Sequence, residues 1–155
     1  MSQAIWILRY DLVSGLEHQY LNWFHTTHIP EKLARPGYLW ATHYEGQLVT
    51  PDQNEKRRSY LALFGGISTR AFLDPSPSEL RSMQDDLTRE MMTKRLSTQG
   101  TVYAFEWSAD GTGSIQQPKG KQLDYFSIHA NASCNDEAIG AWAAKSLFPL
   151  ARRPD

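Results

Sequence analysis

Residues 3–11, QAIWILRYD, are rich in β-branched and aromatic side chains and apolar on both faces of a strand. Ile5, Ile7 and Arg9 share one face; Trp6, Leu8 and Tyr10 share the other. Such a strand belongs in a sheet covered on both sides. Helices can cover one side. The other, left bare, would cost about 25 cal/mol per Å² of apolar surface held in water. The sequence therefore asks for a second cover, and a second sheet is the natural one, with a pocket between the two.

The rest of the chain alternates in the same sense. Ser14-Gly15-Leu16-Glu17 fits a capping box, so a helix is expected to start there. Leu16, Tyr20, Trp23, Phe24 and Thr27 follow at helical spacing, and Pro30 is expected to stop or kink the helix near His28-Ile29. Strands are expected at 38–44 and 59–65, separated by a polar loop at 49–58. Ser76-Pro77-Ser78-Glu79 is a second capping box. Leu80, Met83, Leu87 and Met91 then line one helical face as core. A fourth strand is expected at 101–107, giving the order βαββαβ over a first module, 1–108.

Residues 109–122, rich in Gly, Gln and Lys, read as a linker. A strand and a helix follow in 123–155, the helix with Ile139, Trp142, Ala143 and Leu147 as its apolar stripe. Trp23 and Trp142 stand at the same separation as Pro30 and Pro149. The tail therefore reads as a partial second repeat, one strand plus one helix.

Composition narrows the function. Apolar residues make up 41% of 155 and charged residues 21%, a globular balance. The net charge of -1 and the lack of a basic block exclude nucleic acid as a partner. One cysteine, Cys134, rules out an intrachain disulfide and argues against a cysteine-based zinc site. No apolar run reaches membrane-spanning length, and the first residues read as a strand rather than a leader, so a cytoplasmic protein is expected.

The segment YLNWFHTTHIPEKLARPGYLW concentrates the chemistry. His28 falls on the face of Tyr20 and Phe24 and should point inward; its ordinary pKa of about 6.5 suits proton transfer. His25, on the polar face, is expected at solvent or an interface. Metal binding by this i, i+3 pair is not expected, because Glu31 lies beyond the proline. Among strand residues, Arg9, His43, Tyr44, Tyr60 and Glu106 are candidates to project into a cavity; Arg9 and Glu106 would pair if their strands meet. Any of these polar groups can equally be a satisfied structural residue.

The run from WILRYD through HTTHIPEKLARPGYLW resembles the dimeric α+β-barrel superfamily, and within it the EthD-like proteins. Trp23, His28, Pro30, Leu33, Pro36 and Gly37 carry the resemblance. It implies a ferredoxin-like βαββαβ unit, a homodimer whose two sheets enclose a barrel, and a small aromatic, lactone or quinone-like ligand. It implies chemistry of the cofactor-independent monooxygenase, isomerase or dehydratase kind; no cofactor is expected, although some relatives bind haem. His28 and Tyr44 are the catalytic candidates it suggests, with Arg9, Trp23, His25, His43 and Tyr60 around the substrate and no metal site. A non-catalytic ligand-binding or accessory protein of the same fold is the alternative. Leu147 takes the place of His28 in the tail repeat, so a second site there is not expected.

Overall fold

The computed structural model describes residues 1–46, 57–106, 108, 112–121, 123 and 136–146. Four strands, β1 (Ala4–Val13), β2 (Tyr38–Gly46), β3 (Arg57–Gly66) and β4 (Arg95–Ala104), form one sheet in the order β2-β3-β1-β4. Every pairing is antiparallel. Crossovers run through α1 (Glu17–Trp23) and α2 (Ile29–Leu33) on one side of the chain order, and through α3 (Arg70–Leu73), α4 (Pro77–Arg81) and α5 (Asp86–Thr93) on the other. This is the ferredoxin-like α+β arrangement. A sixth helix, α6 (Asp136–Ser146), follows. The strand expected at 123–130, Cys134 and Leu147 lie outside the described residues, 123 excepted.

β1 behaves as its two-faced sequence requires. Ala4, Trp6, Leu8, Tyr10 and Leu12 are buried against the helices, with Tyr60, Ala62 and Phe64 of β3 and with Tyr20, Trp23, Phe24, Phe72 and Met91 of the helices. Ile5, Ile7 and Arg9 take the opposite face, beside Trp40, Thr42 and Tyr44 of β2 and Leu61, Leu63 and Gly65 of β3. Residues 112–121 are tied to that face. Ile115 bridges Ser2, the Gln117 side chain donates to the Ala41 carbonyl at 3.2 Å, and the Tyr44 hydroxyl donates to the Gly120 carbonyl at 3.2 Å. The stretch read as a linker thus supplies part of the second cover.

Several expected elements are corrected. The first helix starts with Leu16 at its N-cap, and the Glu17 carboxylate reaches back to the Gly15 amide at 2.5 Å, one residue short of the box the sequence suggests. The helix does not end at Pro30. The turn widens to a π-helical one at Phe24–His28, where the Ile29 amide donates to the Phe24 carbonyl, and α2 then resumes through the proline. A wide turn absorbs the missing proline N–H without breaking the rod. The second capping box forms in both halves, but its helix is short. Asp85 caps a new helix, so the stripe is broken: Met91 is buried, while Met83 is 80% exposed and Leu87 47%. β4 begins at Arg95, well before residue 101. Arg9 and Glu106 do not meet: Ala104 pairs with Ala4, at the far end of β1 from Arg9. In α6, Ile139 and Ala143 are half-buried but Trp142 is 45% exposed.

Gly65 shows how closely the second face is packed. A Cβ there would collide with the Trp40 indole, itself buried. Gly65→Ala is expected to destabilise the fold by about 1–3 kcal/mol, lowering Tm by about 2–4 °C for each kcal/mol. Calorimetry of the purified variant checks this; an unchanged Tm would mean that Trp40 moves aside freely.

Candidate functional site

The site lies between β1, β2 and the helical rod of α1 and its π-helical turn. Alternation on β1 aims Tyr10 at the rod, and register places His43 of β2 opposite Ala62 on the same face. The rod brings Tyr20, Trp23, Phe24 and His28 down onto them. Tyr10 stacks on Tyr60 with centroids 5.6 Å apart and on His43 at 5.9 Å; Phe24 stacks on Tyr20 at 5.7 Å and on His28 at 5.4 Å. His28 also lies 4.8 Å from the Trp23 ring.

Three polar side chains form a chain from this interior to the surface. The Tyr10 hydroxyl is 2.8 Å from His43 Nε2, and His43 Nδ1 is 2.8 Å from His25 Nε2. His25 is exposed. A neutral imidazole has one donor and one acceptor nitrogen. If Tyr10 donates to His43, His43 therefore donates to His25, and the opposite sense reverses every bond together. That is the geometry of a proton path between a buried phenol and solvent.

Beside this chain sit polar atoms that find no hydrogen-bond partner: Trp23 Nε1, His28 Nδ1 and Arg95 Nη2. Arg95 opens β4, opposite Leu12, and arches over the aromatic wall with its Cζ 5.0 Å from the Tyr10 centroid and 5.6 Å from those of Tyr20 and Phe24. Its Nε donates to the Tyr20 hydroxyl. Leaving a buried polar atom unsatisfied costs about 1–3 kcal/mol; a fourth such atom, Trp40 Nε1, lies on the other face of the sheet. Among the described residues Arg95 has no carboxylate partner, and the site is electropositive. No group of three or more His, Cys, Asp or Glu among the described residues is placed to hold a metal ion.

The imidazoles are neutral. Burial pushes His28 down to about 2, helped by the charges of Arg95, Lys32 and Arg35. Burial likewise holds His43 at about 3, with His25 and Arg95 adding to the effect, and burial lowers His25. Burial, then the neighbouring Tyr20, raises the Tyr10 hydroxyl well above the usual phenol range.

Of the residues singled out in the sequence, His28, Trp23, His25, His43 and Tyr60 come together here, the Tyr60 ring stacking 5.4 Å from His43. Arg9 and Tyr44 lie on the other face of the sheet, Arg9 exposed and Tyr44 held to Gly120. Tyr10, Tyr20 and Arg95 were not among the sequence candidates for the site. Tyr10 carries a sequence signal, as a polar-tipped residue on the buried face of β1. Arg95 carries none, because it joins the site only through the early start of β4, where Ser97 takes a positive φ of 49° beside a bulge.

The topology defines a ferredoxin-like α+β protein, with a polar, aromatic-walled cluster between its sheet and first helix. No protein-family model and no curated protein matches the chain. Among solved structures it is similar to a candidate antibiotic biosynthesis monooxygenase from Bacillus cereus, at 14% identity and TM-score 0.46 over 70% of this chain and 97% of that one. It is also similar to a monooxygenase from Streptomyces coelicolor solved with nanaomycin D, at 11% identity and TM-score 0.48 over 69% and 90%. A dimeric ferredoxin-like protein from an uncultured marine organism aligns at 10% identity and TM-score 0.48 over 70% and 91%.

The neutral imidazoles make stability depend on pH. In the unfolded chain His43 titrates near 6.5, in the folded one near 3, so the unfolded chain binds more protons between those values. Its contribution is fully present above pH 6.5 and is lost as pH falls toward 3. Denaturant unfolding between pH 4 and 7.5 is expected to show this, and His43→Phe should flatten the slope by about 1.4 kcal/mol per pH unit. An unaltered slope would place the proton uptake elsewhere.

Proposed function

We propose that this chain is a small-molecule enzyme of the EthD-like α+β-barrel type, acting on an aromatic, lactone or quinone-like compound at the cluster between sheet and first helix, not in the space between two sheets where the sequence alone puts the pocket. The observation that carries the reading is the trio of buried polar atoms without partners, Trp23 Nε1, His28 Nδ1 and Arg95 Nη2, at one aromatic wall. Trp23 Nε1 and Arg95 Nη2 are donors, and the Arg95 guanidinium has no counter-ion among the described residues. A ligand carbonyl or enolate oxygen matches those donors, and a flat ring matches the wall.

His28 is the substrate-orienting group in this reading. A buried, neutral imidazole hydrogen-bonds a ligand well and holds a free proton poorly. Proton exchange falls to Tyr10, His43 and His25. Tyr10 takes a proton from the ligand as it gives its own to His43, His43 passes one to His25, and His25 releases one to water. Such a step opens isomerisation, dehydration or oxygenation of the resulting anion. Tyr44 and Arg9, on the other face, belong to the dimer side of the sheet, where Ile5, Ile7 and the 38% exposed Tyr103 are placed to meet a second copy. No helix among the described residues is long and apolar enough to cross a membrane.

Thermal shift against aromatic acids, lactones, quinones and haem tests this. A ligand at 100 times its Kd stabilises by about 2.7 kcal/mol, an easily read rise in Tm. His28→Ala and Arg95→Gln are each expected to remove most of that rise. If both variants fold and keep it, the ligand binds elsewhere. Light scattering is expected to give twice the chain mass; the mass of one chain would show that no second copy covers that face.

A further inference from the structure

Lys32 is buried, 5% exposed, with its Nζ 5.1 Å from the centroid of the Trp6 ring. Among the described residues it makes no ion pair. A lysine this deep normally has a carboxylate partner, because desolvating an unpaired ammonium is costly. Lys32 follows His28 by four residues along the resumed helix, one turn away, and is close enough to bear on the His28 ring electrostatically. The site of the proposed function thus carries a primary amine on its flank that orientation and proton relay leave unused.

We propose that Lys32 is a nucleophilic amine that forms an imine with an aldehyde or ketone carbonyl of the ligand. This deepens the reading of the site given above and rests on it, narrowing the ligand to a carbonyl compound. Nζ, as the free amine, attacks the carbonyl carbon. A C–N bond forms, the carbonyl π electrons move to oxygen, and a proton passes from nitrogen to oxygen to give a carbinolamine. Loss of water then breaks the C–O bond and leaves the imine; hydrolysis reverses each step, and nothing is oxidised or reduced. The Trp6 face, over which Nζ already lies, suits the iminium cation.

The electrostatics agree with this geometry. Burial lowers the Lys32 amine to about 8, with Arg35 and Arg95 pushing the same way and Glu31 opposing. A substantial fraction of free amine is then present near neutrality, where an ordinary lysine has almost none.

The test uses the wild-type chain and needs neither a known substrate nor turnover. The protein is treated at pH 7.5 with limiting 4-carboxybenzaldehyde and cyanoborohydride, and the labelled lysines are located by peptide mass mapping. Lys32 is expected to be labelled at least about tenfold faster than the exposed Lys119, Lys121 and Lys145. Lys32→Arg should remove the fast phase and leave the slow one. Labelling of Lys32 no faster than the surface lysines, or only after urea is added, would overturn the proposal and make Lys32 a structural cation on Trp6. A thermal shift from aromatic acids that bear no aldehyde or ketone, lost in Arg95→Gln, would in that case still support the proposed function. Fast Lys32 labelling with no such shift would leave the imine and remove the acid-binding reading.

Discussion

The structure depends on one contact, the laying of an aromatic rod across an aromatic sheet face. Tyr10 and Tyr60 present a flat, stacked surface, and Tyr20 and Phe24 of the rod close over it. Offset and edge-on pairs of this kind add about 0.5–1.5 kcal/mol each beyond the area they bury. Polar tips come with the rings. Packing tyrosine, histidine and tryptophan instead of leucine forces hydroxyls and ring nitrogens into the interior, where each must find a partner. Tyr10, His43 and His25 satisfy one another; Trp23, His28 and Arg95 keep unpaired atoms. The site is what the contact leaves unsatisfied.

Pro30 sets where that remainder falls. In a regular helix a proline removes one backbone bond and strains the turn before it. Here the turn opens by one residue and the rod continues. Through the widened turn His28 stays on the buried face of Tyr20 and Phe24, Lys32 follows it inward a turn on, and His25 reaches the surface beside His43. Wide turns of this kind recur at functional positions. Local strain, packing and chemistry meet in one short segment.

Charge then gives the cluster a sign. Arg95, Lys32 and Arg35 all act on His28, Arg95 acts on His43 as well, and Arg95 and Lys32 have no carboxylate partner among the described residues. Positive charge and low dielectric keep the histidines neutral. The opposite sheet face has a different character. It mixes Ile5, Ile7, Leu61 and Leu63 with Arg9, Thr42 and Tyr44, and the chain's own residues 112–121 are tied to part of it, so cover there comes from hydrogen bonds made by Gln117 and Tyr44 as well as from any second copy.

Local pattern was enough for the order of elements, the two faces of β1, the capping box at Ser76 and the inward phase of Trp23 and His28, because each depends on residues near in sequence. It misplaced what depends on competition between near and far. Of the stop or kink expected near His28-Ile29, the structure has an interruption and no stop: a π-helical turn ahead of Pro30, after which the helix resumes. The stripe Leu80, Met83, Leu87, Met91 did not survive, since the Asp85 cap restarted the helix and left only Met91 in the core. The pairing of His25 with His43, the arch of Arg95 and the burial of Lys32 on Trp6 join residues far apart in the chain. No spacing rule reaches across a sheet, so the elements were written in the sequence, and the chemistry of their meeting was decided by register, a bulge and one widened turn.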